Sequence, residues 1–165
     1  MSYTIVLAKM CQIEQIMPLY CNAREFMARN GNANQWINGY PTQDLIEKEI
    51  LDKKMYLCLN QDNVVLAAFS FVVANDSTYD VIYKGQWLNS EPYGVVHRLV
   101  SSGVVSRIGD VCMEWCFAQH ANIRVDTHHD NMVMQNLLYR LGYVKCGEIK
   151  IANGSVRVAF HKTNL

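Results

Sequence analysis

A polar turn with three serines, two glycines and one arginine, SSGVVSRIG at residues 101–109, follows a strand pattern and precedes a helical one. The first backbone N–H groups of a helix have no intrahelical partner, and the helix dipole is positive there, so this unit can bind a phosphate. We expect Ser106 to cap the helix, Arg107 to bind phosphate oxygens, and Gly109 to expose the backbone. Strand–turn–helix units also occur without phosphate, so both interpretations stay open.

Two other groups of residues have the chemistry of metal ligands. Cys112 and Cys116 are four residues apart on a predicted helix, and the segment DTHHD contains His128 and His129. Small side chains on a buried helix face explain the cysteines more simply than half of a metal site does. Adjacent strand residues point to opposite faces, so we expect the two histidines to diverge and no metal to bind.

The spacing of apolar residues predicts the elements that position these groups. Strands are predicted at residues 3–8, 55–60, 64–74, 93–102, 122–127, 143–151 and 155–162. Helices are predicted at about residues 13–30, 42–53, 106–119 and 134–141. This order predicts one α/β (α+β) domain over residues 1–165, with a mixed central sheet of about seven strands flanked by about four helices.

Composition narrows the class of protein. The 165 residues are 18% charged with a formal net charge of zero, which gives no overall field favouring nucleic acid or an anionic membrane. The N-terminal residues do not have the pattern of a signal peptide, and the longest apolar run, residues 64–74, is too short for a transmembrane helix. We therefore expect a cytoplasmic protein whose six cysteines are reduced thiols.

The segment DNMVMQNLLYRLGY, taken with the polar turn, resembles the acetyl-CoA-binding core of the GNAT superfamily of N-acetyltransferases. The positions that carry the resemblance are Asn131, Leu137, Arg140, Gly142 and Tyr143. The predicted order of elements also matches that family along the whole chain. The resemblance implies the GNAT fold, acetyl-CoA as co-substrate without a metal, and transfer of its acetyl group to a primary amine in a ternary complex.

Several positions depart from the family pattern. In the turn, Val104 stands where Gln or Arg is usual, and Arg107 stands where the first Gly is usual. In the second motif Leu138 takes the usual Tyr position and Tyr139 follows it, which rotates the hydroxyl by about 100° around a helix. These departures keep open an alternative function, a CoA-binding or ligand-sensing module with weakened catalysis. A homodimeric interaction domain is a further alternative.

The resemblance assigns roles to residues around the turn. It implies that the backbone of the preceding strand pairs with the pantetheine arm, and that Asn131 binds this arm from the other side. The implied strand residues are Leu99, Val100 and Ser101, and those at the pyrophosphate are Val105, Ser106, Arg107, Ile108 and Gly109.

The general base and acid are less well defined by sequence. His97 lies just upstream of the implied acetyl position, and strand alternation places it on one face with Leu99. A histidine packed in the sheet, with water carrying the proton, is an equal alternative. Tyr139 is the candidate acid for the departing thiolate.

Aromatic residues in two variable segments are the candidates for the acceptor pocket. They are Gln35, Trp36 and Tyr40 in the first segment, and Tyr83, Trp87 and Tyr93 in the second. Many aromatic and few acidic residues favour a small, partly apolar or amino-acid-like amine over a polycation. We also expect a homodimer paired through a sheet edge, with no nucleic-acid or membrane partner.

Overall fold

The computed structural model describes residues 2–165, which contain seven strands and four α-helices. In chain order they are β1 (Thr4–Leu7), α1 (Ile13–Arg29), α2 (Gln43–Leu51), β2 (Met55–Leu59), β3 (Val65–Val73), β4 (Gly94–Ser101), α3 (Ile108–Gln119), β5 (Asn122–Thr127), α4 (Met132–Arg140), β6 (Val144–Lys150) and β7 (Val156–Thr163). The predicted fold class and order of elements are confirmed.

The strands form one mixed sheet in the order β1-β2-β3-β4-β5-β7-β6. Strands β4 and β5 are parallel, and the other adjacent pairs of the described strands are antiparallel. The last strand, β7, inserts between β5 and β6, so the parallel pair lies in the interior of the sheet. Parallel neighbours need a crossover connection, which α3 supplies here.

The sheet opens between β4 and β5. Gly94 pairs with Ile123 and Val95 pairs with Arg124, and no later β4 residue pairs with β5 in the described chain. The register of β3 and β4 shifts between residues 97 and 100, where two β4 residues face one β3 residue, and Arg98 has a left-handed φ of 54°. A β-bulge bends its strand, so this bulge explains why β4 turns away from β5.

Apolar residues cover both faces of the sheet. On one face, α3 and α4 bury Cys112, Cys116 and Leu138. Both cysteines are fully buried, so the interpretation of their spacing as a packed helix face is confirmed. On the other face α1 and α2 pack against β2 and β3, with Tyr20 and Ile46 fully buried.

Local signals set most helix boundaries. Thr42 caps α2, because its hydroxyl accepts the N–H of Leu45 at 3.3 Å. Asn131 caps α4 in the same way, accepting the N–H of Met134 at 3.0 Å. None of the helices in residues 2–165 is long and apolar enough to cross a membrane.

Candidate functional site

A cavity of about 1680 Å³ lies in the opening between β4 and β5. It extends from the loop between α1 and α2, across the C-terminal half of β4, to the first turns of α3 and α4. Ligands of α/β proteins commonly bind where neighbouring parallel strands diverge in this way.

The start of α3 forms one end of the cavity. The helix begins at Ile108 with Arg107 as its N-cap, and no side chain makes a capping hydrogen bond there. The prediction that Ser106 caps the helix is therefore wrong, and Ser106 does not line the cavity. Arg107 has a left-handed φ of 59°, a conformation that glycine adopts without strain. This geometry gives the physical reason for the glycine that is usual at this position in the family pattern.

The backbone of this turn has unused hydrogen-bond donors. Within residues 2–165, the N–H groups of Val105, Arg107, Ile108 and Gly109 have no hydrogen-bond acceptor, although all four residues line the cavity. Unpaired N–H groups at a helix N-terminus attract anions. The turn therefore fits an anionic group such as a diphosphate, and the Arg107 guanidinium adds positive charge.

Gly109 has a packing role besides its position in the cavity wall. A Cβ at this position would lie 2.8 Å from Leu137 Cδ1, so the missing side chain also makes room for α4. The neighbouring Asp110 accepts two hydrogen bonds from Arg140, at 2.6 and 2.9 Å. Its negative charge is paired in this way, which reduces its repulsion of an anion at the turn.

The open edge of β4 connects the two ends of the cavity. Leu99, Val100, Ser101 and Asn131 all line it, as the resemblance implies. Beyond Val95 the side of β4 that faces β5 has no strand partner among the described residues. An extended ligand with amide groups can therefore bind there as an additional strand.

His97 lies at the other end of the cavity with two carboxylates that sequence reasoning missed, Asp76 and Asp126. His97 Nε2 lies 2.8 Å from Asp76 Oδ2, and His97 Nδ1 lies 3.9 Å from Asp126 Oδ1. The hydroxyl of the buried Tyr79 donates to the same Asp126 oxygen at 2.6 Å. Asp76 precedes a short 3₁₀ turn and Asp126 lies on β5, so only the tertiary fold brings them to His97.

The charge state of Asp76 fixes the orientation of the histidine. The hydrogen bond from His97, together with two from Thr78, holds the pKa of the Asp76 carboxyl well below its usual range. An ionised Asp76 only accepts hydrogen bonds, so His97 Nε2 carries a proton towards it. In the neutral ring the lone pair is then on Nδ1, the nitrogen nearer Asp126.

The bulge also changes which side chains share a face of β4. His97 contacts Asp76 and Arg98 forms an ion pair with Glu49 on α2, both on the face opposite α3, whereas Leu99 packs towards α3. The prediction that His97 and Leu99 share a face is wrong, because simple alternation fails across a bulge.

The loop between α1 and α2 contributes Gln35, Trp36 and Tyr40, which line the cavity as predicted. The Trp36 and Tyr40 rings make an edge contact at 6.4 Å, and the Tyr40 hydroxyl accepts a hydrogen bond from Arg98 at 3.0 Å. The Gln35 side chain accepts a hydrogen bond from Asn131 at 2.8 Å. The loop therefore joins the two sides of the cavity.

Solved structures of acetyltransferases are similar to this chain over nearly its whole length. An acetyltransferase of the GNAT family from Streptococcus agalactiae is 30% identical, with a TM-score of 0.89 over 99% of this chain and 96% of that one. The chain belongs to the GNAT family of acetyltransferases. Membership of this family makes the chain an acyltransferase. The resemblance that the sequence motifs indicated is confirmed.

More distant GNAT structures share the fold. One from Listeria monocytogenes is 16% identical with a TM-score of 0.70, covering 97% of this chain and 94% of that one. A ribosomal-protein-S5-alanine acetyltransferase from Vibrio fischeri is 16% identical with a TM-score of 0.60, covering 98% and 93%. No family sequence model matches the chain, and no curated protein sequence matches it.

Three of the aromatic residues predicted for the acceptor pocket of this GNAT chain lie elsewhere. Tyr93 and the half-buried Trp87 belong to a separate apolar cluster, where their rings stack on the Arg124 guanidinium. Tyr83 is exposed and contacts Lys150. These three residues do not line the cavity, because the segment between β3 and β4 packs against β6 and β7.

The candidate acid of the GNAT reaction is also displaced. Tyr139 is half exposed, packs edge-on against Phe160 and does not line the cavity, while Leu138 is fully buried. The rotation of the hydroxyl around α4 that the sequence predicts is therefore observed. The structure does not bring Tyr139 to the cavity.

His128 and His129, which do not line the GNAT cavity, behave differently from their prediction. The rings of His128 and His129 stack with centroids 4.2 Å apart, and with Asp130 they bring three potential ligand atoms within 4.8 Å of one another. The expectation that they diverge is wrong, because β5 ends at Thr127 and strand alternation stops there. The Asp130 carboxylate lies 3.5 Å from His128 Nδ1 and 3.2 Å from His129 Nε2, and the Asp130 backbone N–H donates to His128 Nδ1 at 3.1 Å.

Proposed function

We propose that this chain is an acetyl-CoA-dependent N-acetyltransferase that acetylates the primary amine of a small molecule or amino-acid-like acceptor. The observation that carries the proposal is a single cavity with anion-binding N–H groups at one end and His97 between two carboxylates at the other. The open edge of β4 joins the ends. This arrangement fits a long anionic thioester on one side and a cationic amine on the other.

The co-substrate would bind along the start of α3 and the edge of β4. The N–H groups of Val105, Arg107, Ile108 and Gly109 would donate hydrogen bonds to the diphosphate, with the Arg107 guanidinium beside them. The pantetheine amides would pair with β4 near Val100, where a backbone N–H polarises the acetyl carbonyl.

The acceptor would bind at the histidine end as an ammonium ion. The carboxylates of Asp76 and Asp126 favour the cation, and His97 Nδ1 takes its proton. The neutral nitrogen then attacks the acetyl carbon, a C–N bond forms and the C–S bond breaks. The transfer is direct, in a ternary complex, and the thiolate takes a proton from solvent because Tyr139 lies outside the cavity.

The experiment combines binding and turnover. Acetyl-CoA is expected to raise the melting temperature, and thiol release is expected with primary amines from a panel and not with the matched alcohols. A thermal shift without turnover would favour the alternative of a CoA-binding module, and the absence of any shift would overturn both functions. The expected homodimer, which would pair through edge strand β1 or β6, is measured by light scattering on the same sample.

Replacing Arg107 with glycine is expected to change stability and co-substrate binding in opposite directions. Glycine removes roughly 1 kcal/mol of left-handed strain, which raises the melting temperature by about 2–4 °C. Loss of one charge-assisted hydrogen bond raises the KM for acetyl-CoA about tenfold. Calorimetry and initial rates measure the two effects.

The control for Arg107 is Lys53→Gly. Lys53 is exposed, has a φ of 56° and does not line the cavity. It should gain stability without any change in KM. An unchanged KM in Arg107→Gly would show that the guanidinium does not contact the co-substrate.

A further inference from the structure

Arg157 is a buried cation in the wall of the cavity. It lies on β7, is 5% exposed and lines the cavity. Its guanidinium donates only to neutral oxygens, namely the Ser155 hydroxyl and the carbonyls of Val156 and Gln35, the last at 3.3 Å. No carboxylate of residues 2–165 lies within the 4.0 Å ion-pair distance of it.

A buried guanidinium without an anion is costly, and the other buried arginines of this chain avoid that cost. Arg98 pairs with the Glu49 carboxylate. Arg124 lies against the faces of two aromatic rings, at 4.0 and 4.5 Å, away from the cavity. Arg157 has neither kind of partner, and an arginine keeps its proton even when burial lowers its pKa, as it does here. The cavity therefore presents a fixed positive charge that has no direct ion pair, and the Asp126 carboxylate stabilises it only from a longer distance.

Arg157 lies at the end of the cavity that contains His97 and Asp126. In the register of β5 and β7, Asp126 lies opposite Ala159, two residues along β7 from Arg157. Residues two apart on a strand share a face, so Asp126 and Arg157 are diagonal neighbours with Cα atoms roughly 7–8 Å apart. A carboxylate that binds ammonium thus lies beside a guanidinium that binds carboxylate.

We propose that the acceptor carries a carboxylate next to its amine, as an α-amino acid does, and that Arg157 binds this carboxylate. The inference rests on the proposed function and narrows its acceptor class. The ammonium group binds between Asp126 and His97, and the carboxylate accepts hydrogen bonds from the guanidinium. The amine loses two protons and gains the acetyl group, while the thiolate of CoA takes one proton from solvent, so the net release is one proton per turnover.

The test compares each amino acid with the amine that lacks only its carboxylate. Suitable pairs are phenylalanine with phenethylamine, tyrosine with tyramine, and leucine with isoamylamine, since Trp36 and Tyr40 favour apolar side chains. We expect wild-type kcat/KM to be at least tenfold higher for the amino acid. In Arg157→Gln we expect a fall of about 100-fold for amino acids and a change of less than threefold for the amines.

Two further measurements separate the possible results. Arg29→Gln, at an exposed arginine on α1, should leave kcat/KM unchanged for both the amino acid and the matching amine. Phenylalaninamide, which keeps the amine and loses the carboxylate charge, should behave like phenethylamine with the wild-type enzyme, and this comparison needs no variant. Equal rates for amino acids and their decarboxylated amines would overturn the inference and leave the proposed function intact. No acetylation of either class would overturn the proposed function as well.

Discussion

Replacing His97 with glutamine lowers kcat/KM for the amine about 100-fold, with little change in the KM for acetyl-CoA. A positioned base contributes on this order or more, and glutamine has no group that takes a proton at neutral pH. The loss is expected because Asp76 holds His97 with Nδ1 free for the amine. Initial rates at varied amine and acetyl-CoA concentrations measure both quantities.

Two variants control this result. His129→Gln, at an exposed histidine outside the cavity, should retain wild-type rates. Asp76→Asn should keep the imidazole and reduce the rate about tenfold, since it removes the charge that fixes the ring. If kcat/KM of His97→Gln stays within threefold of wild type, water rather than His97 takes the proton.

Replacing Glu49 with alanine lowers the free energy of unfolding by about 3 kcal/mol. Glu49 and Arg98 form an ion pair whose side chains are 11% and 13% exposed. Removing one partner of a buried pair leaves an uncompensated charge, which costs roughly 3–5 kcal/mol. The same pair holds the bulge of β4 against α2, so activity should fall with stability. Urea denaturation measures the free energy, and a fall in melting temperature of about 6–12 °C is expected.

The matched variants test whether the lost charge causes the effect. Glu47→Ala, at a partly exposed glutamate two residues earlier on α2, should change the free energy of unfolding by at most about 0.5 kcal/mol. Glu49→Met combined with Arg98→Met removes both charges and should be more stable than Glu49→Ala alone. A loss below about 1 kcal/mol in Glu49→Ala would show that water enters and solvates Arg98.

The sequence predicts one end of the site better than the other. The co-substrate end depends on a strand, a turn and a helix that are contiguous in the chain, and its residues line the cavity except for Ser106. The acceptor end combines Gln35, Asp76, Asp126 and Arg157, which come from four separate segments. A single sequence carries no signal that these side chains converge, because strand order and register decide it.

Three aromatic residues illustrate the same limit. Tyr83, Trp87 and Tyr93 lie in a segment whose composition equally suits a binding loop or a packed one. In the structure Arg124 and Tyr79 contact Trp87 and Tyr93, and Lys150 contacts Tyr83, all away from the cavity. The aromatic composition of a segment therefore does not distinguish a packed segment from one that forms a binding site.

Periodicity and hydrogen bonds between residues close in the chain predict the order of strands and helices, the start of α2 and the strand–turn–helix unit from the amino-acid sequence. The bulge at Arg98, the divergence of β4 from β5 and the meeting of Asp76, His97, Asp126 and Arg157 are visible only in the folded structure. These features depend on how distant strands pair, and a one-residue shift in register redirects every side chain that follows it.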